Sequence, residues 1–253
     1  MRTTRIHIDA PLAAERELLL PPAAAAHLLR VLRLRAGASL TLFNGQGGEY
    51  QGTLLSADQG RALVRVTAWH ELERESALRV TLLQGIARGE RMDLVVQKAT
   101  ELGAATIVPL ACEFSVVRLA ADARARRRER WQSVAISACE QCGRNRPPQV
   151  RAITDLAEAC AMVAAEAPDL RLMLVPDAGA SLGSLTGTRA PTAALRHVAL
   201  LVGPEGGLSG REQLRAQHAG FQACRLGPRI LRAETAPLAA LAALQALAGD
   251  LAR

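Results

Sequence analysis

Two stretches near the C-terminus, Leu201-Val-Gly-Pro-Glu-Gly-Gly-Leu-Ser209 and Leu226-Gly-Pro-Arg-Ile-Leu-Arg-Ala-Glu-Thr-Ala-Pro-Leu238, decide how this chain is read. Each follows a short apolar run and precedes a helix-like pattern. In an open α/β sheet that arrangement puts both just beyond the carboxyl ends of strands, where ligands bind. Neither stretch is a Walker A sequence, because no Gly-Lys-Ser/Thr is present, and neither is G-x-G-x-x-G. Glu205 sits inside the first glycine loop, where a carboxylate would repel a phosphate. Gly203, Gly206 and Gly207 would let main-chain groups approach a ligand closely, which a side chain would prevent. The alternative is that these glycines only make a tight strand-to-helix turn.

Upstream, the rhythm from Leu78 onward is strand, helix, strand. Arg79–Leu83 is a short apolar run; Met92, Val95, Val96, Ala99 and Leu102 then recur at helical spacing up to Gly103. Thr106–Leu110 reads as the next strand, and a helix from about Asp122 to Cys142 carries an arginine cluster. Further expectations are a helix over Asp155–Ala165, strands over Leu170–Val175, His197–Val202 and Ala223–Leu226, and a last helix over Ala236–Ala248. Ser209-Gly-Arg-Glu212 is a capping box for a helix ending at Gly220. Strands alternating with helices imply a mainly parallel α/β sheet with helices on both faces.

Residues 1–72 read differently, as a small β-rich unit. Pro21-Pro22 opens a helix-like run, Ala23 to Leu34, with His27, Arg30 and Arg33 on one side. Ser39–Phe43 and Glu49–Ser56 flank Asn44-Gly-Gln-Gly-Gly48, a hairpin signal. Asp58-Gln-Gly60 turns into a third strand, Ala62–Ala68, and the charged run Glu71–Glu75 makes a linker. The expected division is therefore 1–72 and 73–253.

Composition narrows the partners. The 253 residues are 49% hydrophobic with a net charge of +7. Residues 118–151 hold nine arginines against Asp122, Glu129 and Glu140, a balance of +6. Lys98 is the only lysine, so the positive charge is nearly all guanidinium, which suits bidentate phosphate contacts. Solvated helix faces are the competing explanation. Only six side chains are aromatic, too few for extended base-stacking surfaces. No signal peptide is read in Met1 to Glu17, and the apolar run Leu238–Leu247 is short of the roughly 20 residues of a membrane span. A cytoplasmic protein with free thiols is expected; Cys139-Glu-Gln-Cys142 has no second ligand pair for zinc, so no metal is expected.

A ligand with an adenosine, a positive centre and no phosphate would tolerate Glu205, and S-adenosylmethionine (AdoMet) is one. The two glycine stretches resemble the AdoMet-binding motifs of the RsmE family, bacterial 16S ribosomal RNA (uracil-N3)-methyltransferases of the SPOUT superfamily. The likeness continues, in order, through His27-Leu-Leu-Arg-Val-Leu-Arg33, Leu42-Phe-Asn-Gly45, Gln97-Lys-Ala-Thr-Glu-Leu-Gly103 and Ala138-Cys-Glu-Gln-Cys-Gly-Arg-Asn145. One departure is Phe114, in Cys112-Glu-Phe-Ser-Val-Val-Arg118, where a polar or basic residue is expected.

The resemblance implies a PUA-like N-terminal domain, a C-terminal domain with a trefoil knot that holds AdoMet, a homodimer and a product of 3-methyluridine in small-subunit RNA. Cofactor contacts are expected from Leu174, Val175 and Leu201, from Gly203, Pro204 and Gly206, and from Leu226, Gly227, Ile230 and Leu231. Arg232 is expected to stabilise charge developing on the uracil carbonyls, unless it only pairs with Glu234; Glu234 is the candidate proton acceptor. RNA contacts are expected from Arg5, Arg30 and Arg33 and from Arg126 to Arg128 and Arg130; Arg144 and Asn145, on a loop before Pro147-Pro148, are expected to contact RNA or the partner subunit's site. A SPOUT enzyme acting on transfer RNA and a non-catalytic ribosome-assembly factor are the alternatives.

Overall fold

The computed structural model describes residues 3–115, 121–187 and 195–251; Arg118 of the arginine-rich segment lies outside them. The chain forms two compact units. One holds the chain up to Glu75 together with Ile136–Pro147, and the other runs from Ser76 to Ala135 and from Pro148 onward. The expected cut after residue 72 missed the returning segment, because nothing in its own pattern marks the partner it packs with.

In the N-terminal unit, β1 (Thr4–His7) and β2 (Arg16–Leu19) precede a short helix α1 (Pro22–Ala26) and one π-helical turn (His27–Val31). Strands β3 (Ser39–Phe43), β4 (Glu49–Asp58) and β5 (Arg61–His70) complete a sheet ordered β1-β3-β4-β5-β2. Only the β1–β3 pairing is parallel. Gln59 and Gly60, both at positive φ, close the β4–β5 hairpin in the primed turn its strand twist demands. Inward residues such as Ile6, Leu40, Leu42, Leu54 and Val64 bury Leu28 of the π turn in one core.

The helix-like run expected over Ala23–Leu34 is helical from Pro22 to Val31, but its second half is a π turn and it ends short of Leu34. The amide of Leu32 donates to the carbonyl of His27, a five-residue step. That wider turn buries Leu28 while leaving Val31 exposed. Arg33 then lies in the left-handed region at φ 53°, so the helical periodicity that would align His27, Arg30 and Arg33 is broken.

The second unit alternates strand and helix: β6 (Arg79–Gly85), α2 (Arg91–Glu101), β7 (Ala104–Leu110), α3 (Ala121–Cys142), β8 (Gln149–Val150), α4 (Leu156–Glu166), β9 (Leu170–Leu174), α5 (Leu182–Gly187), β10 (His197–Val202), α6 (Gly210–His218), β11 (Gln222–Cys224) and α7 (Thr235–Ala248). From Ile136 onward, α3 is counted with the first unit. Every pairing in the six-stranded sheet, ordered β11-β9-β10-β6-β7-β8, is parallel. One sheet face packs under α2, α3 and α7 through Val95, Ala99, Trp131, Leu241 and Leu244. The other packs under α4 and α6 through Leu156, Ala159, Val163 and Ala216. Such two-sided burial explains why these strands read as continuous apolar runs. Among the described residues no helix is long and apolar enough to cross a membrane.

Candidate active site

Neighbouring strands β11, β9 and β10 run parallel, so their carboxyl ends lie on one edge of the sheet. The segments that leave these ends line one cavity of about 660 Å³. β9 leads into Leu174, Val175, Pro176 and Asp177; β10 leads into Gly203 to Leu208; β11 leads into Leu226 to Glu234. The volume is that of a cleft for a cofactor-sized molecule. Nine of the ten expected cofactor residues line it; Leu201 does not. Leu201 is wholly buried among Leu83, Met173 and Phe221 on one sheet face, since its neighbours in β10 alternate between faces.

The glycines have distinct physical reasons. A β-carbon on Gly203 would come within 2.9 Å of the Gly207 carbonyl carbon, so the loop folds back on itself only because Gly203 is bare. Gly227, at φ 101°, takes a conformation that other residues resist, and open space lies where its side chain would be.

Charge in the cleft is arranged around Arg91, which the sequence reading passed over. Its Nη1 donates to Glu205 Oε1 at 3.1 Å, and its Nε lies 3.7 Å from Glu234 Oε1. Glu205 Oε1 also accepts the Arg88 amide at 2.9 Å. Burial opposes the charged form of Glu205, but the bonds from the Arg88 and Glu205 amides and from Arg91 outweigh it and hold the carboxyl below its usual range. Arg91 opens α2, where a cation is unfavourable to the helix dipole. That mismatch is the signal that could have identified it.

Both expected catalytic residues line the cavity. Arg232 does not pair with Glu234; its guanidinium has no ion-pair partner among the described residues, while its carbonyl accepts the Thr235 and Ala236 amides at the start of α7. Glu234 Oε2 is buried with no hydrogen-bond partner among the described residues. An orphaned carboxylate oxygen at a cavity wall is a place for a ligand donor.

The expected RNA contacts divide. Arg30, Arg33 and Arg126 are exposed and Arg127 is half-buried. Arg128 Nε donates to the Val150 carbonyl, and Arg130 pairs with Asp93. Arg144 and Asn145 lie on the loop between α3 and β8, as expected, but their side chains are buried in the N-terminal unit, at 5% and 0% exposure. Arg144 pairs with Glu75 at 2.5 Å, and the Asn145 amide donates to the Leu72 carbonyl. Arg5 joins them, donating to Asn145 Oδ1 and pairing with Glu49 at 2.5 Å. Buried guanidiniums need such partners, so these three side chains are used internally.

The cavity suits AdoMet. Bare backbone at Gly207 and Gly227 faces open space, and carboxylates of Asp177, Glu205 and Glu234 share the wall with Arg229 and Arg232. Both signs of charge match a ligand that carries a carboxylate, an ammonium and a sulfonium.

Comparison with known proteins fits this picture. Residues 74–245 match the RNA methyltransferase domain family and residues 20–67 the RNA methyltransferase PUA domain. Fold and cleft thus define an RNA methyltransferase domain preceded by a PUA domain. The Ribosomal RNA small subunit methyltransferase E of Bacillus subtilis is 30% identical over 222 residues, 86% of this chain and 85% of that protein. The crystal structure of the Neisseria gonorrhoeae protein of the same name, bound to S-adenosyl methionine, is 38% identical, covers 99% of this chain and 100% of its own, and superimposes with a TM-score of 0.86. A Legionella pneumophila structure holding bound SAM is 37% identical, with 99% and 100% coverage and a TM-score of 0.92. The chain belongs to the ribosomal RNA small subunit methyltransferase E family.

Proposed function

We propose that this protein transfers a methyl group from AdoMet to N3 of a specific uridine in 16S ribosomal RNA, giving 3-methyluridine within the small ribosomal subunit. The observation that carries the reading is the single cleft in which both glycine loops meet Arg232 and Glu234. When bound, AdoMet supplies an electrophilic methyl on a sulfonium. The residues do the rest. Gly203, Pro204, Gly206, Leu226, Gly227, Ile230 and Leu231 present main chain and apolar surface that hold the donor in place, which supplies much of the acceleration by alignment. Glu234, through its orphaned Oε2, accepts the N3 proton. Arg232 offers an uncommitted guanidinium to the uracil carbonyl oxygens as negative charge spreads onto them. N3 lies on the Watson–Crick edge, so the base enters unpaired.

In the same reading the loops of the second unit belong to a SPOUT trefoil knot, the enzyme acts as a homodimer, and its ribosomal substrate makes it cytoplasmic. Exposed Arg30, Arg33 and Arg126 and half-buried Arg127 attract RNA phosphates. The test is Arg232→Ala. AdoMet should bind as to the wild type, while methylation of undermethylated small subunits falls by about 100-fold or more. Wild-type turnover in that variant would remove Arg232 from the mechanism.

A further inference from the structure

Aromatic side chains are scarce in this chain, six in 253 residues. In the second unit Trp131 and Phe221 are buried in the core, whereas Phe114 is 52% exposed. It also stands where the family resemblance leads one to expect a polar or basic residue. A phenyl ring in water gains nothing from burial, so its position calls for a reason.

Phe114 lies directly on the first glycine loop. A β-carbon on Gly206 would come within 2.8 Å of Phe114 Cβ and 3.6 Å of its ring Cγ. Gly206 lines the cleft and Phe114 itself does not, so the ring sits beside a lining residue, one contact back from the cleft wall, and needs a glycine beneath it. The turn that carries it is tied down at several points. The Ser115 amide donates to the Cys112 carbonyl at 3.0 Å, and the Cys112 amide to Ser115 Oγ at 3.1 Å. The Glu113 amide donates to Glu212 Oε1 at 3.0 Å, and the Glu113 carboxylate pairs with Arg211 at 2.7 Å. Glu212 is itself buried, fixed in the capping box of α6. The ring is therefore presented on a preorganised turn, which lowers the cost of binding.

We propose that Phe114 is the platform on which the unstacked target base lies as it enters the cleft. This rests on the RNA methyltransferase reading above. Methylation at N3 requires the uracil to leave its stack, and an aromatic face restores stacking without reading sequence. A charged nucleic acid suits the position better than an apolar protein face, because Arg229 and Arg232 line the cleft that Gly206 shares, without ion-pair partners among the described residues.

The test uses the full-length protein with Phe114→Ala, Phe114→Tyr and Phe114→Trp. Calorimetry measures AdoMet affinity, and steady-state kinetics measure methylation of undermethylated small subunits. Phe114→Ala should bind AdoMet within about twofold of wild type while KM for the subunit rises about tenfold, as expected from losing one base–aromatic stack. Phe114→Tyr and Phe114→Trp should restore it, and the added tryptophan's emission should be quenched by subunits but not by AdoMet. Unchanged kinetics in Phe114→Ala would overturn the proposal. So would loss of AdoMet binding, which would make the ring a support for the glycine loop, or an altered oligomeric state with unchanged KM, which would make a second copy its occupant. A wild-type protein that neither binds AdoMet nor methylates subunits would instead overturn the underlying reading.

Discussion

Arg91 is the residue that joins the two glycine loops. It reaches Glu205 in the first and Glu234 in the second from the start of α2. Exposed ion pairs contribute little, and Arg91 is partly exposed, so its value lies in geometry more than in stability. Arg91→Gln should lower AdoMet affinity roughly fivefold with little change in thermal unfolding, because coupled residues at one site share their energy. Arg91→Lys should recover part of it; equal affinities for all three proteins by calorimetry would make the bridge incidental. Acid should act through the same contact. The carboxyl of Glu205 is held below its usual 4.5, so the tie is complete above that value and is lost as pH falls through the lowered one. AdoMet affinity should therefore be level between about pH 5 and 7 and drop below, and Glu205→Gln should flatten the drop. The glycine loops and Arg232 were legible in the sequence because they sit within one short motif each. Arg91 was not, since its partners are 114 residues and more away in the chain.

At the scale of elements, the first glycine loop is the most constrained. Gly203→Ala would push a methyl group against the loop's own backbone at 2.9 Å. Backbone cannot step aside cheaply, so the variant should lose roughly 1–3 kcal/mol in urea unfolding and much of its AdoMet binding. Full retention of both would mean that the loop is more pliant than its packing implies. Helix α3 makes a different prediction. Arg126→Ala with Arg127→Ala should weaken RNA binding and flatten its dependence on salt by about one to two released counterions; an unchanged slope would assign these arginines to a solvated face. Elements with strong periodicity were readable in advance: His197–Val202 and the capping box at Ser209 appear with the bounds expected. The helix-like run from Ala23 is present up to Val31, but its π turn was not readable, because one widened turn leaves too short a pattern to shift the apolar period. Strands β1 and β2, of four residues each, carry too little pattern to stand out.

At the scale of the molecule, the chain returns from the second unit to the first. Ile136–Pro147 is counted with the N-terminal unit, and buried polar groups hold it there: Arg144 with Glu75, Asn145 with Leu72 and Arg5, and Glu140 with the His7 amide. Removing one side of a buried pair leaves the other charge poorly compensated. Glu75→Ala should cost about 3 kcal/mol in denaturant unfolding, and a loss below about 0.5 kcal/mol would mean that solvent replaces the carboxylate freely. Sequence could not supply this arrangement. The loop that carries Arg144 and Asn145 was readable from the following Pro147-Pro148, but their burial was not, because their partners lie about 70 positions earlier. A mainly parallel sheet was legible from the alternation of apolar strands and helices, and the cleft from where two of those strands end; the sixth strand, β8, has only two residues and left no pattern to read. Whether that cleft performs the proposed reaction is tested most directly by incubating the protein with AdoMet and undermethylated small ribosomal subunits, then mapping the methylated nucleoside by mass spectrometry. A single new 3-methyluridine in the 16S RNA is the result predicted; a methyl group on a ribose or another base, or none at all, would contradict it.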